Sequence, residues 1–590
     1  MNGKNFKKLI LINFLLSALY TLSTVPYSLG IVALAFPINL AFTLFSGYIN
    51  VWLLLKKNRL KFVYLNSSLF FYEPCVFIVT YVMYRSGKDF LPYALDLVST
   101  LLWIGCCIVS LILAYRYFNL KKLDRLYAIN PSWKEVVDSH LPSNFEGLTK
   151  IGFNILDLVN DIIQVFIALF LINIFIFQLY VIPSESMVPT LMVKDRVFVF
   201  KTLSGPVFPL SRIKLPDVMK YRRGNIVVVR NPHYGDDHEN EKSFTLNNLV
   251  STMTLGIVNI NKDEDGQMKA DPLVKRLVGL PGEDLMMMDG KLYIRHGEDK
   301  NFEESEMDEK YAAWNLNELP FSVQKNINWM PLSSRQYLDF LDVEEKRRSL
   351  DMSKAAEECF EIYSQVARLS HGDFIDEDKV KDFFSEEDMF EFNLFNNLSE
   401  VTLAIINNDG GRQWLYHFMN DWYQDKDLSL YTEDGNVTGA NLFGGNLYDD
   451  SVWRLDVMAK LLFGRILLCN VNMLRNGIVP SEWTTDTSRN SYYLEAQALS
   501  DYIVRMDQRN MGIVHIPEGQ YFMMGDNRFN SLDMRHSYDY LLKDLCPDDP
   551  YSVKYYSNLQ TQTVSKDKIL GKASLIYWPV KRIRFLFVKK

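Results

Sequence analysis

Cysteine is scarce and scattered in this sequence. Only six cysteines occur in 590 residues, and no C-x-x-C or cysteine–histidine spacing is present. A disulfide framework and a zinc site are therefore both disfavoured. Cysteine usage leaves the cellular compartment open.

An excess of positive charge is also missing. The formal net charge is −8 at pH 7, and the less apolar C-terminal part has no long Lys/Arg cluster. Because phosphate recognition requires a basic surface, we expect no nucleic-acid partner.

Long apolar runs are confined to the first 180 residues. We predict five membrane spans there, over residues 9–25, 29–55, 68–84, 91–115 and 162–180. The last run has no charged residue, and as a helix it rises about 28 Å, enough to cross the hydrocarbon core. An alternative for the first run is a cleaved signal peptide, because lysines precede it; the apolar runs that follow favour a retained span.

Lysine and arginine are concentrated in alternate connections between these spans. They precede the first span and lie between the second and third and between the fourth and fifth, whereas the other connections hold only Arg85 and Lys88. The positive-inside rule then puts the N-terminus in the cytoplasm and the residues after the fifth span outside it. Glu73 and Asp96 are expected to lie near span ends or to face neighbouring helices rather than to line an ion pathway.

The sequence after residue 181 changes to short strand-like runs, at 196–200, 225–229, 274–278, 291–295, 512–516 and 521–524. Asp289-Gly290 joins two such runs as a hairpin. Between about residues 299 and 510, apolar residues recur with the spacing of a helix instead. We predict helices capped by Ser353 and Ser491 there and a third helix over 451–475, whose charged residues argue against a sixth membrane span.

We therefore predict a multidomain membrane protein with an α-helical transmembrane region, a mainly-β catalytic domain and a large, mainly helical insertion. The expected boundaries are 1–181 for the membrane region, 182–298 for the first part of the β domain, 299–510 for the insertion and 511–590 for the second part of the β domain. Residues 536–564 resemble a further, smaller insertion.

Four stretches stand out: P-S-E-S-M-V-P-T-L (183–191), R-G-N-I-V-V-V (223–229), V-K-R-L-V-G-L-P-G-E-D (274–284) and G-D-N-R-F-N-S-L-D-M-R (525–535). The first emerges where the fifth span ends. In the third, two adjacent cations lie within an apolar strand, which is costly unless they are partnered or neutralised. Arg276 needs a carboxylate, whereas desolvation and a nearby cation can make Lys275 neutral, and a neutral lysine beside a serine is a general base.

Together these four motifs resemble those of type I signal peptidases, the membrane-bound serine proteases that remove signal peptides. The resemblance covers roughly 162–295 and 512–585. It implies that Ser186 is the nucleophile and Lys275 its base, with Ser184 and the Ser186 N–H as the oxyanion hole. The remaining supporting residues it implies are Ser531, which orients the lysine, the pair Arg276 and Asp526, and the pair Asp533 and Arg535.

The resemblance also implies the partners and the location. Substrates would be exported preproteins whose signal peptides end in small residues at −1 and −3, and the other partners would be membrane lipid and the secretion translocon. The expected location is the bacterial cytoplasmic (inner) membrane, with the catalytic domain outside the cytoplasm. No metal or cofactor is required.

The sequence departs from the family pattern at a few positions: Asn225, Leu273, Phe529 and Met534. None removes a catalytic group, and His536 is expected to be incidental. Two alternatives remain. One is a catalytically inactive membrane assembly or binding protein on the same scaffold. The other is a penicillin-interacting enzyme, from S-x-x-K at 211–214 or 322–325, although neither K-T-G nor S-D-N accompanies it.

Overall fold

The chain is described in a computed structural model that covers residues 3–60, 63–119, 123–139, 146–235, 237–254, 269–297, 301–426 and 446–587, with single positions at 258, 260–262, 266 and 428. An N-terminal group of apolar helices is followed by β-structure, then by a mainly helical stretch and a return to β-structure.

The N-terminal helices coincide in order with the five predicted spans. They are Gly3–Ser23, Ile31–Gly47 continued as a π-helix over Tyr48–Lys56, Val63–Arg85, Tyr93–Arg116, the short Asp124–Tyr127 and Trp133–Ser139, and Gly147–Phe175. By length and composition the five long ones could cross a membrane, as could a sixth described helix, Leu447–Arg475.

The fifth predicted span is wrong at its end. Its helix stops at Phe175, and Phe177–Val181 form strand β1, which pairs along its whole length with strand β2, Arg196–Phe200. The helix end is capped by the chain that follows β2: Lys201 Nζ donates to the Asn173 carbonyl at 3.1 Å. A cation at a helix C-terminus complements the helix dipole, so the turn from helix to strand is stabilised locally.

Glu73 and Asp96, in the N-terminal helices, contact neighbouring side chains, as expected. Glu73 accepts a hydrogen bond from Asn13 Nδ2 at 2.6 Å. Asp96 pairs with Arg85 at 2.7 Å and also accepts from Ser211 Oγ, in the β-rich part, at 2.6 Å. The helical group and the β-structure are therefore tied together by a buried polar contact.

All six predicted strands are present. The remaining strands are β3 Ile226–Val229, β4 Leu273–Gly279, β5 Glu283–Met288, β6 Lys291–His296, β7 Glu303–Glu304, β8 Met511–His515, β9 Gln520–Met524, β10 His536–Asp544, β11 Lys554–Leu559, β12 Val564–Ser565, β13 Ile569–Trp578 and β14 Arg584–Phe585. The β5–β6 hairpin turns at Asp289-Gly290 with φ of 51° and 78°, the positive values that a type I′ turn requires.

The strands form three sheets. The largest has the order β1-β2-β13-β3-β4-β9-β12, with β14 paired to β13; a second has the order β7-β6-β5-β8, and β10 pairs with β11. β3 is buried on both faces: Ile226 and Val228 pack in one apolar cluster, and Val227 and Val229 pack in another, toward the second sheet. This explains its continuous apolar sequence, and it places the neighbouring β4 in the protein interior.

The helices of the β-rich and mainly helical parts are His238–Met253, Glu306–Glu309, Phe321–Gln324, Ser334–Arg348, Met352–Ala367, Glu377–Lys381, Glu391–Asn396, Leu398–Asn407, Gly411–Asn420, Leu447–Arg475 and Thr487–Arg505. Short 3₁₀ turns occur at Leu316–Glu318, Asp421–Tyr423, Pro480–Thr485, Met506–Gln508, Lys566–Lys568 and Val580–Arg582.

Two predicted helix caps are wrong. Asp351, not Ser353, accepts the backbone N–H of Lys354, and Asp486, not Ser491, accepts that of Arg489. Both helices begin earlier because an acidic side chain satisfies the free N–H groups of the first turn. The third predicted helix ends at Arg475 as expected but begins after the cap Asn446.

Helix Leu447–Arg475 lies in the middle of the helical part rather than on its surface. Most of its side chains are buried in an apolar cluster with the surrounding helices. The predicted smaller insertion, 536–564, contains the β10–β11 sheet and packs on the same cluster through Tyr551 and Val553. Lys554 N also donates to the Met389 carbonyl at 3.0 Å, so this hairpin and the helical stretch form one packed unit.

Candidate active site

The predicted nucleophile and base are in contact. Ser186 lies in the turn that follows β1, and Lys275 lies on β4. Lys275 Nζ donates to Ser186 Oγ at 2.9 Å. This is the separation at which an amine that has lost its proton can accept one from a serine hydroxyl.

The surroundings of Lys275 make it lose its proton more readily than an exposed lysine does. Its side chain is buried, and it forms no ion pair with the described residues. Burial lowers the pKa of Lys275 to about 8; the charges of Asp533 and Asp526 oppose this shift and that of Arg535 adds to it. Roughly one molecule in ten would carry the neutral amine at pH 7.

Arg276, next to Lys275, is held separately on the other face of β4, because successive strand residues point to opposite faces. It binds Asp526 with two hydrogen bonds, of 2.7 and 2.6 Å, and donates to the Gly224 carbonyl at 2.7 Å. Thr190 also bonds to Asp526 and accepts from Arg276. Through Thr190, the predicted pair of Arg276 and Asp526 connects the motif that contains Ser186 to β4 and to the 525–535 loop.

Asp533 and Arg535 also form the expected pair, at 2.9 and 3.0 Å, with both side chains fully buried. Burial is the largest influence and would raise the pKa of Asp533, but the nearby positive groups together, Arg535 foremost, outweigh it and hold this pKa well below its usual range. Asp533 accepts the Gly525 N–H at 2.8 Å, and Arg535 donates to the Arg528 carbonyl at 3.1 Å. The pair therefore closes the 525–535 loop on itself.

Ser184 lies beside the nucleophile. Its Oγ is 3.4 Å from Ser186 Oγ and is exposed to solvent. The Ser186 carbonyl accepts the Asn527 N–H at 3.1 Å, whereas the Ser186 N–H has no acceptor among the described residues. One hydroxyl and one backbone N–H are thus available beside Ser186, the kind of donors that bind an oxyanion.

Ser531 is close to the site but lacks the expected contact. Its buried Oγ has no hydrogen-bond partner among the described residues, Lys275 included. A Cβ added to Gly525 would collide with Ser531 Oγ and would lie 2.5 Å from the Ser186 carbonyl oxygen. Gly525 therefore allows the close approach of the two loops, and the orienting role of Ser531 stays a prediction.

The residues of the alternative assignments are engaged elsewhere. Ser211 donates to Asp96, and Lys214 pairs with Asp567. Neither 211–214 nor 322–325 contains a serine–lysine hydrogen bond between described side chains. His536 is buried beside the Asp507 carbonyl, and burial together with Arg535 lowers its pKa to about 4.

The family described as "Signal peptidase, peptidase S26" matches residues 155–350 and 479–578, which is half of the chain. The chain belongs to this signal peptidase family.

Curated relatives of this family member include "Signal peptidase I P" of Bacillus subtilis subsp. natto, 26% identical over 141 residues, which are 24% of this chain and 51% of the relative. "Signal peptidase I" of Bacillus licheniformis is 31% identical over 133 residues, 22% of this chain and 46% of the relative. "Signal peptidase I" of Buchnera aphidicola subsp. Acyrthosiphon pisum (strain APS) is 32% identical over 119 residues, 20% of this chain and 27% of the relative. The chain spans about half or less of each relative's length.

Three residues in contact with the candidate site were missed by sequence reasoning. Thr190 lies within the first motif, so its position was a usable signal. Glu185 lies between the two serines and is buried, with its carbonyl accepting from Asn527 Nδ2 at 3.2 Å. Tyr311, whose ring lies 3.6 Å from the Arg276 guanidinium, belongs to the predicted insertion and carried no signal.

Proposed function

We propose that this chain is a membrane-bound serine endopeptidase that cleaves N-terminal signal peptides from exported preproteins. The observation that carries the proposal is the 2.9 Å contact between Ser186 Oγ and a buried Lys275 that has no ion-pair partner among the described residues. A lysine in an ordinary surface position would be protonated at pH 7 and could not act as a base. Membership of the signal peptidase family supports the same activity.

The proposed reaction passes through an acyl-enzyme. Neutral Lys275 accepts the Ser186 proton while Ser186 Oγ attacks the scissile carbonyl, and Ser184 Oγ with the Ser186 N–H stabilises the oxyanion. Lys275 then gives its proton to the leaving amine as the peptide bond breaks. Lys275 next takes a proton from the water that attacks the ester, and it returns this proton to Ser186 Oγ as the ester bond breaks. Each donor to the oxyanion lowers the activation free energy by about 3 kcal/mol.

The proposed topology has a cytoplasmic N-terminus and five spans, so that the site lies outside the cytoplasm at the bacterial inner membrane. The lysine and arginine distribution supports it. The proposed layout is the membrane region 1–181, a catalytic domain over 182–298 and 511–590, and a helical insertion, 299–510. The absence of residues 351–478 from the family match supports an insertion but not its outer boundaries.

The proposed substrates present small residues at −1 and −3 in an extended segment. Such a segment binds by adding a strand to a sheet edge, with pockets for alternate side chains. Membrane lipid and the secretion translocon are the other proposed partners.

Cleavage of a purified preprotein in detergent tests the activity. We expect the wild type to release the signal peptide, and Ser186→Ala and Lys275→Ala each to lower kcat by a factor on the order of 10³ or more. Glu358→Ala, which removes one partner of a half-exposed ion pair in the helical part, is the matched control. Undiminished cleavage by either site variant would contradict the proposed roles of Ser186 and Lys275.

A further inference from the structure

A buried carboxylate, that of Glu185, lies between the two site serines. Glu185 is 7% exposed, and its two carboxylate oxygens accept the backbone N–H groups of Asn328, at 2.5 Å, and Trp329, at 3.3 Å. No described lysine, arginine or histidine pairs with it. Burying an unpaired carboxylate is costly, so this arrangement is a poor way to gain stability alone.

The segment that supplies these N–H groups also packs on the turn that follows Ser186. Val188 and Met192, both buried, contact Leu316 in a small apolar cluster. Further side chains from the same segment complete it: Ala313, Leu319, Val323, Ile327 and Met330. Residues about 130 positions later in the chain therefore pack against the turn that contains Ser186.

The same segment holds the second loop of the site. Ala313 N donates to the Asp526 carbonyl at 2.7 Å, and Arg528 N donates to the Ala313 carbonyl at 3.1 Å. Arg528 also pairs with Asp308 at 2.5 Å, with both side chains buried. These contacts fix the backbone on both sides of Asn527, whose N–H binds the Ser186 carbonyl.

Phe529, one of the departures from the family pattern, strengthens this attachment. Its ring lies 5.2 Å from that of Trp314 and 6.1 Å from that of Phe340, and it belongs to the apolar cluster of the helical part. A polar residue here would lose that contact. The phenylalanine therefore anchors the 525–535 loop to the helical part.

We propose that residues 305–330, which we call the brace, position the catalytic loops, and that Glu185 is the positioning residue through which the brace holds Ser186. This inference rests on the proposed function. The brace enters the site at three points: Glu185, the Asp526–Arg528 backbone and the Arg276 guanidinium beneath Tyr311. Because Ser186 Oγ must stay within hydrogen-bond reach of Lys275, loosening the brace would misplace the nucleophile, and a displacement of about 1 Å can cost about 100-fold in rate.

Hydrogen–deuterium exchange of the full-length protein in detergent tests the brace without any substrate. Glu185→Gln keeps the size of the side chain but sets an amide NH₂ against a backbone N–H. We expect peptides covering 183–191 and 525–531 to exchange at least about three times faster than in the wild type, whereas peptides within 447–475 are unchanged. Glu358→Gln, the same chemical change at the Arg465 pair, is the matched control and should alter neither loop.

Preprotein cleavage provides the second readout. Glu185→Gln should lower kcat about tenfold or more, with KM within about twofold and the pH midpoint of kcat/KM unchanged, because the base itself is untouched. Phe529→Ser should act in the same direction and Phe529→Leu should restore most of the rate, since leucine keeps the apolar contact. If Phe529→Ser fails to fold, Glu185→Gln carries the test.

The outcomes separate this inference from the proposed function. Faster exchange at both loops in Glu185→Gln supports the brace, even if the wild type cleaves no preprotein, which would instead count against the proposed activity. Unchanged exchange at both loops would overturn the brace, as would a kcat equal to that of the wild type in an active preparation.

Discussion

Two of the buried lysines, Lys460 in the helical part and Lys275 in the β-rich part, have opposite surroundings. Lys460, in the helical part, lies 2.7 Å from an Asp549 oxygen and 3.6 Å from an Asp456 oxygen, and all three side chains are fully buried. It also donates to the carbonyls of Phe418 and Tyr551, at 3.0 Å each. Lys275, in the β-rich part, contacts the Ser186 hydroxyl and has no ion-pair partner among the described residues.

The difference shows what decides the role of a buried lysine. Burial penalises the ammonium ion in both places, because water no longer solvates it. Two adjacent carboxylates offset this cost at Lys460, so its charge has a structural role. At Lys275 the carboxylates are farther away and are bound to arginines, so burial prevails and the amine is poised to lose its proton.

The largest expected effect comes from replacing the unpaired lysine. Lys275→Met should lower kcat/KM for preprotein cleavage by a factor on the order of 10³ or more, because the base is lost. The free energy of unfolding should stay the same or rise, because an apolar side chain of similar length replaces a poorly solvated amine. Cleavage assays and thermal unfolding of the same preparation check both parts; reduced stability would show that Lys275 is structural too.

The same change at the paired lysine should do the reverse. Lys460→Met leaves Asp456 and Asp549 buried without a cation, which should cost about 3 to 5 kcal/mol of unfolding free energy. Below the unfolding transition, cleavage should stay within about twofold of the wild-type rate. Urea unfolding followed by tryptophan fluorescence measures the first effect. If Lys460→Met lost cleavage while its stability was unchanged, the proposed difference in role between the two lysines would be wrong.

A smaller effect concerns the pH dependence. Because Lys275 must be neutral to act, wild-type kcat/KM should rise about tenfold per pH unit up to a midpoint near pH 8 and then level off. Asp533 favours the ammonium form, so Asp533→Asn should lower the Lys275 pKa and move the midpoint to lower pH. Asp549→Asn, in the connection between β10 and β11, is the control and should leave the midpoint in place. A midpoint that moves upward in Asp533→Asn would contradict the proposed electrostatics.

Local structure followed the sequence pattern closely. The six strand-like runs and the Asp289-Gly290 turn are where the alternation and the turn residues predict them. The errors occur at element ends, where two types of residue compete: Asp351 and Asp486 cap helices in place of the predicted serines, and β1 takes the last residues of the predicted fifth span. Phe529 and Met534 depart from the family pattern, and only their packing in the apolar clusters explains these two residues.

The sequence by itself determined that Lys275 and Arg276 would lie on opposite faces of a strand, since side chains alternate with a period of two residues. It also determined the apolar helix before Ser186, because length and hydropathy are local properties. The pairing of Arg276 with Asp526 was implied by the family resemblance and by no local pattern. Only the tertiary structure decided that residues 305–330 pack against the Ser186 turn. Such contacts depend on how distant loops close against one another, and no local periodicity records that.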